Sequence, residues 1–104
     1  MKQTDRFYTS ESWRRKRQKI LRRDKYICQL SKRYGKIRQA DTVHHIFPRY
    51  DFPEYALADW NLISLCSSEH DKLHDRGGRK LSAAGLDLLR KTARRRGIAI
   101  PPGW

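Results

Sequence analysis

Thiols are few in this sequence: Cys28 and Cys66 are the two cysteines, too few for a disulfide framework. Long apolar runs are missing as well. None approaches the roughly 18 residues a membrane span needs, and none follows Met1 as a signal peptide would require. These shortages predict a cytoplasmic protein with reduced thiols and no membrane partner. Acidic residues are scarce, 11 against 24 lysines and arginines. Internal repeats and low-complexity blocks are absent. A chain of 104 residues predicts one small domain over 1–104, with a modest core and the habit of a monomer or weak dimer.

What is there in excess is positive charge, +13 formally. Such an excess repels itself and attracts polyanions, so nucleic acid is the first partner to consider. Ribosomal and membrane-surface proteins share this charge, and it decides little alone.

The punctuation of the chain gives a coarse map. Ser10 is placed to cap a helix over about 10–23. Its narrow stripe is Trp13, Ile20 and Leu21, and cations including Arg14 and Arg17 fill the rest. Residues 26–30 fit a short strand or a core-packed segment, and Tyr34-Gly35 signals a turn. Residues 40–46 read as a strand that Pro48 ends. Residues 47–60, rich in proline and aromatics, read as an Ω-type loop packed by its own side chains. Residues 62–65 read as a second strand. Ser67 or Ser68 would cap a helix running through His74 and stopped by Gly77-Gly78. Ser82 opens a last helix to residue 96, striped by Leu86, Leu89 and Ala93 with Leu88 alongside. The tail from residue 98 reads as extended or loose, and residues 1–8 as a loose lead-in.

All four histidines lie between residues 44 and 74. His44 and His45 are adjacent, so on a strand they point to opposite faces. His70 and His74 are spaced to share one helix face. Three imidazoles could therefore surround one ion and leave the fourth for other work. Phosphodiester hydrolysis asks for that division of labour. A divalent ion can offset phosphoryl charge and stabilise the departing alkoxide. A histidine titrating near neutrality can activate the nucleophile. An asparagine or a backbone carbonyl can fix the tautomer of that histidine. Candidate ligands are His44, His70 and His74. His45 is the candidate base and Asn61 the candidate orienting group.

These residues carry a resemblance. His44-His45, Asn61 and His70 match the signature of the HNH endonucleases. The full His-His…Asn…His-x-x-x-His arrangement is similar to that of the colicin-type nucleases, and residues 43–76 resemble small phage-encoded members. The resemblance implies an α+β fold with a ββα-metal core over 40–77: a two-stranded antiparallel hairpin with a long loop, then a helix. Basic helices would flank it on both sides. It implies metal-dependent DNA cleavage leaving a 5′-phosphate and a 3′-hydroxyl, with His45 as general base held by Asn61. It also implies a phage setting in a bacterial host, with nicking as one mode and the packaging terminase as partner. Phosphate contacts would come from Arg49, Lys72 and Arg76, extended by Arg14 and Arg17. No base-reading module is evident, so sequence preference should be weak.

Two departures from the family pattern matter. Many HNH proteins hold a structural zinc with two Cys-x-x-Cys pairs, whereas the matching positions here are Cys28…Ser31 and Cys66…Glu69. Serine is a poor zinc ligand, so no structural zinc is expected. His44 stands where many relatives have aspartate. Among Mg²⁺, Mn²⁺, Ni²⁺, Co²⁺ and Zn²⁺, imidazole shifts preference away from Mg²⁺. The competing reading is a non-catalytic basic protein that binds nucleic acid or serves packaging as an accessory.

Overall fold

Ser10 ends a four-residue helix, α1 (Arg6–Thr9), and starts the long basic helix α2 (Glu11–Arg23) in this computed structural model, which describes residues 6–104. The Ser10 hydroxyl donates to the Phe7 carbonyl at 2.6 Å and accepts from the Trp13 N–H at 3.2 Å. One side chain thus satisfies groups of both helices. Part of the expected lead-in is therefore helical; residues 1–5 lie outside the described residues. Trp13, Ile20 and Leu21 are buried as the stripe requires.

The segment after α2 resolves both expectations for residues 26–30. Ile27 makes an isolated bridge to Gln39, and a short helix, α3 (Gln29–Arg33), follows. Strands β1 (Thr42–His45) and β2 (Leu62–Leu65) form an antiparallel pair, with His44 opposite Ile63 and His45 opposite Leu62. The ladder continues past the strands, through Asp41 N–H to Leu65 O and Ile46 N–H to Asn61 O. Paired residues share a face. His44, Ile63 and Leu65 therefore face one way, and Val43, His45 and Leu62 the other. The core divides accordingly. Ile63 and Leu65 join the larger cluster with Phe47, Leu88 and Leu89; Val43 and Leu62 join Trp13, Ile20 and Leu21.

No third strand covers β2 among the described residues. Two side chains at the end of α2 do so instead. Arg23 donates to Leu62 O at 2.7 Å, and Asp24 accepts from Ser64 N–H at 3.0 Å. The outer edge of β2 is thereby blunted, while the outer edge of β1 is left for the cleft described below.

The loop at 47–60 packs on itself as expected. Phe47 contacts Phe52, Tyr55 and Trp60 with ring centroids 5.0, 5.5 and 5.7 Å away. The tail, read as extended or loose, forms no helix or strand but is docked: the Trp104 ring lies 5.1 Å from Phe52, and its main-chain oxygen accepts from Arg90.

Helix α4 (Ser67–Lys72) is shorter than the sequence suggested. Cys66, not Ser67 or Ser68, is its N-cap residue, and it ends before His74 rather than at Gly77-Gly78. The reason lies in α5 (Ala83–Arg96). Its cap, Ser82, donates from its hydroxyl to Lys72 O at 2.6 Å and from its N–H to Leu73 O at 2.9 Å. These bonds take carbonyls that another turn of α4 would need. His74 is consequently extended and bridges to Leu81. On α5 the buried face is Gly85, Leu88, Leu89, Thr92 and Ala93, while Leu86 is only half-buried. Gly97 closes the helix in the left-handed region, at φ 68°, where glycine pays no Cβ penalty.

Candidate active site

A cleft of about 470 Å³ runs along the free edge of β1, lined by Thr42, Val43, His44 and His45 of the strand and by His70 and His74. Strand alternation sends His44 towards α4 and His45 towards α1 and α2. Because β1 is an edge strand, both still reach the same cleft.

His44, His70 and His74 meet. One ring nitrogen from each lies within 4.8 Å of the others. Nε2 of His70 and Nε2 of His74 are 3.1 Å apart. Two nitrogens bound about 2.1 Å from one ion stand about 3.0–3.4 Å apart at octahedral or tetrahedral angles, so the spacing suits a shared cation. His44 is buried, and its Nε2 has no hydrogen-bond partner among the described residues. A buried polar atom left unpaired costs about 1–3 kcal/mol, and a metal ion would satisfy it. His74 keeps its place without the helix assigned to it, because the turn after α4 brings its ring back over His70. Burial pushes the His44 imidazole well below its ordinary value, with His70 and His74 adding to the effect. Burial also lowers His70, and His74 lowers it further, against the opposing pull of Asp71 and Asp41. Neutral imidazoles are the form that binds metal.

His45 is 7 % exposed and boxed by aromatics. Trp13 stacks on it at 5.0 Å with the planes 23° apart, and Phe7 and Tyr8 flank it at 5.7 and 6.3 Å. Its Nε2 lies 3.0 Å from Ala56 O. A carbonyl only accepts, so Nε2 carries the proton and Nδ1 the lone pair. Burial lowers the pKa of the ring; the Ala56 bond opposes this, and the positive charge of Arg49 adds to it.

Asn61, the candidate orienting group, makes no hydrogen bond to His45 among the described residues; it acts through the loop instead. Its buried carboxamide accepts from Phe47 N–H at 2.7 Å and donates to Phe47 O and Tyr55 O, both at 3.1 Å. It ties the two ends of the loop together, and the next residue along from Tyr55 is Ala56. Asn61 thus fixes the carbonyl next to the one that is bonded to His45.

The expected phosphate contacts separate. Arg49 and Arg17 line the cleft. Arg14 is exposed on α2 and paired with Glu11. Lys72 pairs with Glu69 at 3.2 Å and lines a different groove, and Arg76 is exposed outside the cleft. No sequence signal pointed to Arg79, which lines the cleft and lies 4.2 Å from the Tyr50 ring, with Arg49 4.5 Å from the same ring. The positions corresponding to a zinc knuckle do converge. Cys66 Sγ is 3.8 Å from Ser31 Oγ and 3.4 Å from Ser68 Oγ. Burial pushes the Cys66 thiol up, but hydrogen bonds from Ser68, the Glu69 backbone, Cys28 and Ser31 bring it down to about 7. Glu69 is turned to Lys72.

Comparison with known proteins agrees with this geometry. A family model for HNH endonuclease matches residues 28–76. The crystal structure of the HNH endonuclease of the deep-sea thermophilic bacteriophage GVE2, solved with manganese ion, is similar to this chain at 32 % identity and a TM-score of 0.61. The match covers 88 % of this chain and 79 % of that one. No curated protein matches. The paired histidines on an edge strand, the ββα order of elements and these matches together place the chain in the HNH endonuclease family, whose members are hydrolases acting on DNA.

Proposed function

We propose that this enzyme cuts DNA phosphodiesters with His45 as general base and one divalent ion held by His44, His70 and His74. The observation that carries the reading is the convergence of those three imidazoles beside a fourth on the same cleft. When bound, the ion supplies Lewis-acid charge for the phosphoryl oxygens and the leaving alkoxide. The protein does the rest. Ala56 O keeps the His45 proton on Nε2, so Nδ1 can take one from water. Trp13 fixes the ring plane, and burial with Arg49 keeps the ring unprotonated at neutral pH. Arg17, Arg49 and Arg79 offer cations to the phosphates on either side. Asn61 acts as a positioning residue through the loop. Water gives a proton to Nδ1 and bonds to phosphorus as the P–O3′ bond breaks, and the O3′ alkoxide takes a proton from solvent, leaving a 5′-phosphate and a 3′-hydroxyl. All-imidazole donors favour Mn²⁺, Co²⁺, Ni²⁺ or Zn²⁺ over Mg²⁺.

Arginines lining the cleft, with no evident base-reading element among the described residues, support weak sequence preference, with nicking as the elementary event. The similarity to a phage enzyme supports work in the cytoplasm of an infected bacterium, and the family resemblance adds the packaging terminase as partner. The test is nicking of supercoiled plasmid across a metal panel. His45→Ala should lose roughly 10²–10⁴ in rate while still binding DNA. Wild-type cutting by His45→Ala would refute the assignment.

A further inference from the structure

The most exposed large apolar side chains among the described residues lie outside the cleft lining. Ile37 is 84 % exposed and Tyr34 75 %. Both sit on the tip that follows α3, Lys32-Arg33-Tyr34-Gly35-Lys36-Ile37-Arg38, which has four cations and no acid. Every residue from 32 to 39 is exposed. None of the four cations has an ion pair among the described residues.

The tip has a defined shape. Tyr34 N–H and Lys36 N–H both donate to Ser31 O at 3.0 Å, and Gly35 takes the left-handed turn at φ 76°. Its base is closed by Cys28 N–H to Arg38 O at 2.8 Å and by the Ile27–Gln39 bridge. A single exposed isoleucine needs no explanation. A preformed turn that raises two apolar side chains among four unpaired cations is another matter. Basic residues that grip phosphates around an apolar wedge are how proteins enter and pry open a DNA groove.

The position also fits. Behind the tip is a groove of about 460 Å³, lined by Arg33, Lys36 and Arg38 and by Lys72 of α4. The acids of that groove are already engaged, Glu69 with Lys72 and Asp87 with Lys91. Helix α4 is the partition: His70 faces the cleft and Lys72 the groove. A helix is about 10 Å across with its side chains, or about a third of the pitch of a DNA duplex. Cleft and groove therefore lie on opposite sides of one short helix, a separation smaller than the length of a bound duplex.

We propose that residues 32–38 form a second contact with duplex DNA, in which Arg33, Lys36 and Arg38 hold phosphates and Ile37, beside Tyr34, wedges into the groove. This rests on DNA being the substrate, but not on His45 or on any metal.

The test is binding in EDTA to a short duplex carrying 2-aminopurine, measured across a salt series, with nicking assayed separately. The Lys36→Ala/Arg38→Ala double variant should lower the log–log salt slope by about two, at about 0.9 per phosphate. Ile37→Ala should keep the slope, weaken binding about tenfold and suppress the rise in 2-aminopurine fluorescence. Both should melt like wild type, since their side chains touch solvent, and both should nick more slowly than wild type at sub-saturating DNA. An unchanged slope in the double variant, or unchanged affinity and fluorescence in Ile37→Ala, would overturn the proposal, including in favour of a protein partner at the tip. Loss of the slope change is independent of nicking by His45→Ala, so the two readings fail separately.

Discussion

A buried imidazole resists protonation because the charged form loses its water. His44, His45 and His70 all lie below their ordinary values for that reason first. The unfolded chain therefore binds more protons than the folded one once pH drops under about 6.5. Their contribution to stability is whole above that value and is lost as pH falls towards the folded pKa values. In metal-free protein, Tm should decline between pH 7 and pH 5, and less steeply in His44→Gln. A flat profile in the wild type would contradict the burial of these rings as described. The quartet itself was readable from spacing, because strand alternation and a four-residue step constrain direction. The partner of Asn61 was not. A carboxamide bonds whatever the loop closure brings to it, and no periodicity encodes that Phe47 and Tyr55 arrive first. Arg79 escaped for a related reason: the turn before it passes through Arg76 at φ 51°, and such a reversal leaves no repeat to read.

Helices here were legible where a side chain caps them and illegible where a neighbour does. Ser10 and Ser82 cap as their residue types predict. Helix α4 ends early because α5 takes its carbonyls, a tertiary event. The same junction depends on Gly85. A Cβ at that position would collide with Leu73 O, a backbone atom with little freedom to yield. Gly85→Ala should therefore destabilise by about 1–3 kcal/mol despite the better helix propensity of alanine. It should also weaken metal binding, since Leu73 joins the two histidines. Denaturant melts and calorimetric titration with Mn²⁺ would measure both, and an alanine variant as stable as wild type would show that α5 does not press on this turn.

Across the whole molecule, a charge of +13 on 104 residues works against the compact state. Raising NaCl from about 20 to 200 mM shortens the screening length from roughly 20 to 7 Å. Tm should rise by a few degrees over that range, even as DNA binding weakens. A melting point that falls with salt would mean that ion pairs such as Lys16 and Lys19 with Asp59 outweigh the repulsion. The order of strands, loop and helix was visible in advance because each is bounded by proline, serine or glycine. How the hairpin is flanked was not, since nothing in the sequence marks Arg23 and Asp24, at the end of the basic helix, as partners of a strand. Yet that pair seals β2 and so leaves the hairpin a single margin where another chain can zip on. The margin is also the one that lines the reactive cleft. An extended peptide that paired with β1 would silence the nuclease by occupying its doorway, which makes main-chain mimicry, rather than ion capture, the natural route to a selective inhibitor.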